Sequence, residues 1–222
     1  EPTSETLTFI ENGLRFEVDP VRGQKTGFFL DQRDNRARVE QLAAGKRVLN
    51  VFSYNGGFSL AAARGGALEV TSLDQSGPAL ASAQRNFILN EKLPAIAAAR
   101  HLMIEDDAFK AMAELLKQGK QYDMVIIDPP AFAVRRAQVK EALASYGRLA
   151  HLGVSLLIPG GDIVLASCSN PVSPEVFRQT MCAAASRAGR PLSQIVETGH
   201  ALDHPLDFAE SRYLKCLFAK AW

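Results

Sequence analysis

A turn with two glycines and a later acidic residue have the spacing of a nucleoside-binding site. Gly56 and Gly57 follow an apolar run that is typical of a buried strand, and Asp74 lies eighteen positions after Gly56. An acid about 20 residues after a glycine-rich first turn can hold the hydroxyl groups of a ribose. The turn lacks the full G-x-G-x-x-G pattern that cradles a pyrophosphate, so a dehydrogenase is disfavoured. The spacing favours a nucleoside cofactor without phosphates, and S-adenosylmethionine is a ligand of that kind.

A carboxylate and a thiol follow two other apolar runs. Asp128 begins an Asp-Pro-Pro sequence directly after the run 122–127, and Cys168 follows a later run. A cysteine beside a cofactor can act as a covalent nucleophile. Taken alone, each residue also has a simpler interpretation, because Asp-Pro-Pro can end a strand and a free cysteine is often a small buried side chain. Asp74 and Asp107 could each cap a helix, which is the commoner role of an acid before a helix.

These residues require a fold that brings the ends of several strands together. From Lys46 onward, short apolar runs alternate with helical patterns, which indicates an α/β fold with a mainly parallel sheet. In such a sheet, ligands bind beyond the carboxyl ends of the strands. We predict strands over residues 47–52, 68–74, 98–103, 122–127, 162–166, 193–198 and 213–218, and helices over residues 58–64, 78–89, 107–117, 138–157 and 174–188.

The first 45 residues have a different pattern. Two β-rich runs, 7–10 and 14–18, flank Asn12-Gly13, which is a strong signal for a β-hairpin. A helix is predicted over 33–42. We therefore expect an N-terminal hairpin and helix extension over residues 1–45 and one large domain over residues 46–222.

The composition excludes several classes of protein. The 222 residues include 25 Lys and Arg against 24 Asp and Glu, and 47% are apolar, which is typical of a globular domain and not of a disordered or polybasic chain. The three cysteines show no C-x-x-C spacing, which disfavours a disulfide framework and a cysteine-rich zinc site and favours a reducing cytoplasm. No apolar run approaches the ~20 residues of a membrane span. We expect a cytoplasmic protein with no metal and no membrane partner.

Two motifs carry a resemblance that covers essentially the whole chain. The K-T-G-x-x-x-D-Q-R stretch begins at Lys25, and the F-S-Y-N-G-G-F turn begins at Phe52. Together with Asp-Pro-Pro, they resemble a class I S-adenosylmethionine-dependent methyltransferase, and more closely the bacterial RlmI-like enzymes that form 5-methylcytosine in 23S ribosomal RNA. The resemblance implies a Rossmann-like, seven-stranded, mostly parallel sheet with helices on both faces and an antiparallel last strand. Family members usually carry an RNA-binding PUA domain before the hairpin, so we expect either the catalytic part of a longer protein or a short homologue.

The resemblance also implies a cofactor site. It places the methionine part of S-adenosylmethionine against the turn, the ribose on Asp74 and the adenine near Asp106, with the segment Lys25–Arg33 folded over the cofactor. S-adenosylhomocysteine would be the product. The expected cofactor-binding residues are Lys25, Gln32, Phe52, Ser53, Tyr54, Asn55, Gly56, Gly57, Asp74, Asp106, Asp107, Ala108, Asp128 and Pro129.

The expected catalytic residues are Cys168 and Asp128. Carbon 5 of cytosine is a poor nucleophile, and a thiolate that adds to carbon 6 makes the ring enamine-like. Asp128 would hydrogen-bond the amidine edge of the base and favour its protonated form. Cys182 and Cys216 are better explained as packing residues. The group that removes the proton from carbon 5 is not identified by the sequence.

RNA is the expected partner, and a homodimer is a possible assembly. Arginines on or near the predicted helix 33–42 and after Asp-Pro-Pro could contact phosphates, although charge runs are often only solvated faces. The target base must leave its stack to reach the pocket. Phe132 is open either to stacking on that base or to ordinary packing. The expected substrate-binding residues are Pro130, Phe132, Arg33, Arg135 and Arg136, with Arg36 and Arg38 as further candidates for phosphate contact.

Two other classes of function stay open. Asp-Pro-Pro followed by an aromatic residue also serves enzymes that methylate exocyclic amines, but here Ala131 intervenes before Phe132. A related group with the same motifs methylates nitrogen 7 of guanine, and it lacks a cysteine at the position of Cys168. A non-catalytic RNA-binding module is least favoured, because polar or special-backbone residues follow all five of the first predicted strands of the large domain.

Overall fold

The apolar runs form one seven-stranded sheet in the computed structural model, which describes residues 6–19, 27–205 and 211–222. Its strands are β3 (Arg47–Val51), β4 (Glu69–Asp74), β5 (Arg100–Glu105), β6 (Tyr122–Ile127), β7 (Leu157–Ser167), β8 (Leu192–Thr198) and β9 (Lys215–Ala221). The strand order is β5-β4-β3-β6-β7-β9-β8. Strands β3 to β7 pair in parallel, and β9 runs antiparallel to both of its neighbours. The predicted fold class, with its antiparallel last strand, is therefore confirmed.

Helices cover both faces of this sheet because side chains alternate between the two faces along each buried strand. Leu49 and Val51 pack on the side of the last three helices, whereas Val48 packs on the side of the first four helices and the hairpin. Serine or aspartate side chains at residues 76, 107 and 173 cap three of the helices. The helices are α1 (Arg33–Leu42), α2 (Gly57–Arg64), α3 (Gly77–Leu89), α4 (Pro94–Ala98), α5 (Ala108–Lys117), α6 (Val139–Ser155) and α7 (Pro174–Arg187).

The largest departure from the predicted elements lies between α6 and β7. The helix was predicted to reach residue 157 and the strand to begin at 162, but α6 ends at Ser155 and β7 begins at Leu157. Gly160 has a φ of 76°, and the pairing with β6 shifts register here, so the Pro-Gly-Gly sequence forms an irregularity inside the strand. The short helix α4 was not predicted, and it moves the start of β5 to Arg100.

The predicted hairpin is present, and α3 holds it through side-chain amides. Strands β1 (Leu7–Glu11) and β2 (Leu14–Val18) are joined by Asn12 and Gly13, both with positive φ. Asn90 accepts a hydrogen bond from the Arg15 backbone N–H and donates one to the Arg15 carbonyl. Asn86, one turn earlier on α3, accepts from the Glu17 N–H. The amides thus satisfy the backbone groups that an edge strand leaves unpaired. The domain division at residue 45 stays a prediction.

A buried ion pair joins this hairpin to α1. The Arg36 guanidinium donates to both carboxylate oxygens of Glu11, at 2.7 and 2.6 Å, and to the Phe29 carbonyl at 2.9 Å. It also lies over the Phe28 ring. The two side chains are only 5% and 6% exposed. The expectation that Arg36 could contact RNA phosphate is therefore wrong, because its charge is used inside the protein.

The Arg36–Glu11 pair gives a test of stability. We expect Glu11→Ala to lower the free energy of unfolding by about 3–5 kcal/mol, because it leaves a buried guanidinium without its counter-charge. Chemical denaturation would measure the loss. The control is Arg85→Ala, which breaks a pair with Glu17 that joins the same hairpin to α3. The Arg85 side chain is 51% exposed, so we expect a loss of about 1 kcal/mol or less. Equal losses for the two variants would contradict the role given to the buried pair.

Candidate active site

Register pairing aligns the carboxyl ends of four strands. Leu73, Val51, Ile127 and Leu165 are paired in one row across β4, β3, β6 and β7. The residues just beyond this row line a single crevice. It contains most of the predicted site residues, namely Gln32, Phe52, Ser53, Tyr54, Asn55, Gly57, Asp74, Asp128, Pro129, Pro130 and Cys168. The predicted nucleoside turn and the predicted catalytic pair therefore share one cavity.

The turn after β3 has an unusual backbone conformation. Phe52 and Tyr54 have positive φ angles of 61° and 48°, which are rare for residues with side chains. Such strain persists only where the surroundings hold it, and it is frequent at functional sites. Here the Ser53 N–H donates to the Leu73 carbonyl and the Tyr54 N–H donates to Oδ2 of Asp74. Strand β4 therefore fixes the turn that β3 leads into.

Gly56 serves the turn by its small size. It has a φ of 81°, and a Cβ atom at this position would lie 2.8 Å from the Cβ of Ala83 on α3. Only glycine permits this close approach of the helix to the turn. Gly56 does not line the crevice itself, whereas Gly57 does.

Asp74 has both carboxylate oxygens directed at backbone N–H groups. Oδ2 accepts from Tyr54 at 2.8 Å, and Oδ1 accepts from Ser76 at 3.0 Å. The cap of α3 is the Ser76 hydroxyl, which accepts from the Ala79 N–H, so Asp74 is not the helix cap that its position also allowed. Each carboxylate oxygen can accept more than one hydrogen bond, so Asp74 keeps capacity for ligand hydroxyls.

The residues predicted to lie near adenine are placed differently. Asp107 caps α5 by accepting from the Lys110 N–H, and Asp106 pairs with the Lys110 side chain. The hydrogen bond from Lys110 holds the pKa of Asp106 below its usual value. Together with the buried Ala108, these residues lie outside the set that lines the crevice.

The second side of the crevice combines the Asp-Pro-Pro loop with Cys168. Asp128 directly follows β6, and Cys168 directly follows β7. The half-buried Cys168 thiol donates a weak hydrogen bond to the Pro129 carbonyl, with Sγ and O 3.9 Å apart. This contact joins the two loops at the point where the thiol and the carboxylate meet the crevice.

A buried hydroxyl network beneath these loops was missed by sequence reasoning. The Ser167 hydroxyl donates to the Tyr146 hydroxyl, which lies 2.8 Å from Oγ of Ser169. Ser169 in turn accepts from the backbone N–H of Ala133, in the Asp-Pro-Pro loop. Phe132 packs on the Tyr146 ring and does not line the crevice, which agrees with ordinary packing and not with stacking on the target base. The network fixes the loop that carries Cys168 relative to the loop that carries Asp128.

A buried lysine also supports the Cys168 loop. Lys215 is paired with Ser167 in the sheet, and its ammonium donates to the carbonyls of Ser169 and Val172. Burial lowers the pKa of Lys215 to about 8, while charge on the nearby Cys168 acts in the opposite direction. The backbone carbonyls of the loop that follows Cys168 thus bind the Lys215 ammonium group.

The other two thiols have different surroundings. Cys216 is fully buried in β9, and Cys182 is half-buried on α7. Burial raises the pKa of both thiols, which disfavours their thiolate forms. Neither lines the crevice, as the packing interpretation predicts.

The N-terminal segment also contributes residues to the lining of the crevice. Gln32 accepts a hydrogen bond from Asn35, and the Gly27 carbonyl accepts one from the Asn55 amide. Asp31 also lines the crevice, and its Oδ2 accepts from the Tyr213 hydroxyl at 2.6 Å. Lys25 lies outside the described residues, so its predicted contact is not placed.

The arginines predicted to meet RNA have different environments. Arg33 pairs with Asp34 and with Asp203, and Arg38 lies over the Phe218 ring. The residues 135–136 are exposed, just beyond the Asp-Pro-Pro loop. Arg33 and Arg36 are used in ion pairs, whereas Arg135 and Arg136 are exposed and form no ion pair within the described part of the chain.

The lining of the crevice fits S-adenosylmethionine. The Asp74 carboxylate has capacity for ribose hydroxyls, and the further carboxylates of Asp31 and Asp128 make the crevice negative, which suits a ligand that carries sulfonium and ammonium charges. Aromatic rings at residues 28, 29, 52 and 58 provide apolar walls and faces that attract a cation.

Over the described ranges, no group of three or more His, Cys, Asp or Glu side chains could hold a metal ion. Within those same ranges, every helix is too short or too polar to span a bilayer.

Comparisons with known proteins agree with this lining. Residues 1–210 match the model of the S-adenosylmethionine-dependent methyltransferase family. A ribosomal RNA large subunit methyltransferase of Deinococcus radiodurans is 50% identical over 218 residues, which are 98% of this chain and 52% of that protein. Ribosomal RNA large subunit methyltransferase I of Pseudoalteromonas translucida is 38% identical over 224 residues, which are 100% of this chain and 55% of that protein. The chain spans about half the length of these relatives.

Solved structures give the same result. SMU.776, a methyltransferase complexed with S-adenosylhomocysteine, superposes with a TM-score of 0.81 at 29% identity, over 99% of this chain and 57% of that one. A methyltransferase from Streptococcus mutans gives a TM-score of 0.79 at 29% identity, over 99% and 56%. The resemblance predicted from the two sequence motifs is confirmed. The chain belongs to the S-adenosylmethionine-dependent methyltransferase family.

Proposed function

We propose that this protein methylates carbon 5 of a cytosine in RNA, and that the RNA is large-subunit ribosomal RNA. The observation that carries the chemistry is that Cys168 and Asp128 line the same crevice as Asp74 and the turn after β3. The names of the relatives support the choice of substrate, since both are ribosomal RNA large subunit methyltransferases. The cytoplasmic location and the homodimer stay predictions.

Cys168 supplies the covalent step of the proposed mechanism. Its thiolate adds to carbon 6 of the ring, which raises the electron density at carbon 5. When bound, S-adenosylmethionine supplies an electrophilic methyl group for carbon 5. The later loss of the carbon 5 proton restores the ring double bond and releases the thiol. The two loops that carry Cys168 and Asp128 are held together from below by Tyr146 and Ser169, which keeps the thiol at a fixed place beside the base.

Asp128 has the electrostatic role. A carboxylate at the amidine edge of cytosine favours the protonated base, and protonation makes carbon 6 a better electrophile. Pro129 is buried and Pro130 is exposed, so the loop presents a rigid edge to the crevice. The exposed Arg135 and Arg136 support a phosphate contact near this mouth.

Methylation of an exocyclic amine or of guanine nitrogen 7 is less well supported. In the amine enzymes an aromatic residue follows Asp-Pro-Pro directly, whereas here Phe132 comes one position later and packs on Tyr146. Neither reaction needs a thiol, yet Cys168 lies in the crevice. Substitution of that thiol therefore separates the alternatives.

Removal of Asp74 tests the cofactor site. We expect Asp74→Ala to weaken S-adenosylmethionine binding by about 1–3 kcal/mol, because the ribose hydroxyls lose a charged acceptor. Calorimetric titration would measure the change. Asp123→Ala is the control, since Asp123 also accepts a backbone N–H, from Arg47, but outside the crevice. An unchanged affinity in Asp74→Ala would mean that Asp74 only organises the turn.

Removal of the Asp128 charge tests catalysis separately from binding. We expect Asp128→Asn to leave S-adenosylmethionine affinity nearly intact and to lower turnover by roughly 10²-fold or more, because an amide cannot stabilise the protonated base edge. Calorimetry and single-turnover methylation would measure the two effects. A collapse of cofactor affinity with a normal rate per bound cofactor would assign Asp128 to the cofactor instead.

Removal of the Cys168 thiol tests the mechanism. We expect Cys168→Ala to abolish methyl transfer to undermethylated ribosomal RNA while the fold and cofactor affinity remain, because carbon 5 is not activated without addition at carbon 6. Mass spectrometry of the product nucleoside from the wild-type reaction would identify the methylated atom. RNA with 5-fluorocytosine should form a denaturation-resistant complex with the wild-type protein, since fluorine blocks the final elimination.

The matched control for that experiment is Cys182→Ala, which removes a half-buried thiol outside the crevice. It should keep both methylation and the 5-fluorocytosine complex. A complex that persists in Cys168→Ala, or normal methylation by that variant, would refute the 5-methylcytosine mechanism and favour amine or nitrogen 7 methylation.

A further inference from the structure

Carbon 5 methylation needs a proton acceptor in addition to the thiol and the group at the amidine edge. After methyl transfer, carbon 5 carries both the methyl group and its original hydrogen. A base must remove that hydrogen before the thiol can leave. The acceptor must lie in the same crevice as Cys168.

Three carboxylates line this crevice, and two of them already have a structural or catalytic role assigned above. Asp74 directs its two oxygens at the backbone N–H groups of Tyr54 and Ser76. Asp128 follows β6 and faces the base edge in the proposed function. No histidine, lysine or glutamate belongs to the crevice lining in the described part of the chain, and Arg36 is bound to Glu11. Asp31 is the carboxylate that remains.

Asp31 combines burial with an unused acceptor atom. It is 9% exposed, and its Oδ1 has no hydrogen-bond partner among the residues that the structure describes. A buried carboxylate oxygen without a partner is costly, and such atoms in native proteins require an explanation such as catalysis or a ligand. The short 3₁₀ helix Leu30–Gln32 carries this residue, which lines the same crevice as Cys168 and Leu214.

The surroundings of Asp31 fix the carboxylate in one orientation. The Tyr213 hydroxyl donates to Oδ2 at 2.6 Å, and the Asp31 carbonyl accepts from the Ala201 N–H at 3.1 Å. Burial and the hydrogen bond to Asp31 raise the pKa of Tyr213, so the phenol stays a neutral donor. Tyr213 therefore occupies Oδ2 and leaves Oδ1 for a reacting group. Charge on Cys168 also acts on Tyr213, which agrees with the thiol and the carboxylate sharing one cavity.

We propose, on the basis of the proposed function, that Asp31 is the catalytic base that removes the carbon 5 proton. Oδ1 takes the proton, and the electron pair of the C–H bond forms the double bond between carbons 5 and 6. The bond between carbon 6 and Sγ breaks, and its electron pair leaves on the Cys168 thiolate. Asp31 ends protonated and returns its proton to solvent.

The test uses the isosteric variant Asp31→Asn and RNA with tritium at carbon 5 of cytosine. We expect the release of tritium to slow by roughly 10²-fold or more, because an amide cannot take the proton. The methylated intermediate cannot then eliminate, so a denaturation-resistant protein–RNA complex that carries a labelled methyl group should accumulate on ordinary cytosine. Complex formation with 5-fluorocytosine RNA should keep its wild-type rate, since those steps precede proton removal.

Further variants separate this role from a structural one. Asp31→Glu retains a carboxylate and should restore part of the tritium release, and it also carries the test if the Asn variant fails to fold. Asp123→Asn, which removes a charge outside the crevice, should release tritium at the wild-type rate.

Several results would overturn the assignment. One is normal tritium release by Asp31→Asn. Another is loss of cofactor affinity with a normal rate per bound cofactor, which would make Asp31 a cofactor ligand. A third is failure of Asp31→Asn to form the 5-fluorocytosine complex, which would place its role before proton removal. If the wild-type protein forms no such complex, the proposed function itself is wrong and the assignment falls with it.

Discussion

The parallel pairing of four central strands is the constraint on which the site depends. Backbone hydrogen bonds hold Leu73, Val51, Ile127 and Leu165 in one row, and each chain then leaves the sheet at the same edge. Groups that are far apart in sequence, such as Asp74 and Cys168, must therefore meet there. A slip of the strand register would turn every side chain to the opposite face and would separate these groups. The buried row thus positions the site without contacting a ligand.

The strained turn after β3 is a consequence of that pairing. Two residues with side chains, Phe52 and Tyr54, are held at positive φ by hydrogen bonds from the turn to the end of β4. Each such residue costs about 1–3 kcal/mol in the folded state, so the neighbouring strand must supply the compensation. Residues of this turn and Asp74, to which it is hydrogen-bonded, line the crevice. Gly56 completes the arrangement because it allows α3 to pack directly against the turn.

The site residues that could be predicted from the sequence are those that directly follow a predicted strand. A residue directly after a buried strand has a defined place in a parallel sheet, so Asp74, Asp128 and Cys168 were expected together and share one cavity. Tyr146 and Lys215 follow no predicted strand and give no such signal. Asp31 lies in the K-T-G-x-x-x-D-Q-R motif, which predicted a segment near the cofactor but no role for this carboxylate. The Tyr213–Asp31 hydrogen bond, for example, joins residues 182 positions apart. Asp107 had two interpretations, a helix cap and a residue near adenine, and it caps α5, whereas Asp106 pairs with Lys110.

The residues that line the crevice are anchored by two different parts of the molecule. The loops that carry Asp128 and Cys168 are bound to each other through Tyr146 and Ser169, and they belong to the parallel sheet. Asp31 belongs to the N-terminal segment, and its hydrogen bond from Tyr213, near the start of β9, joins that segment to the sheet. β9 is the antiparallel strand, so it starts at the edge where β7 ends, and Lys215 there binds the Cys168 loop. The start of the antiparallel strand thus connects the two parts of the lining. Tyr213 donates a hydrogen bond to the Asp31 carboxylate, and Lys215, two positions later, binds the loop that follows Cys168.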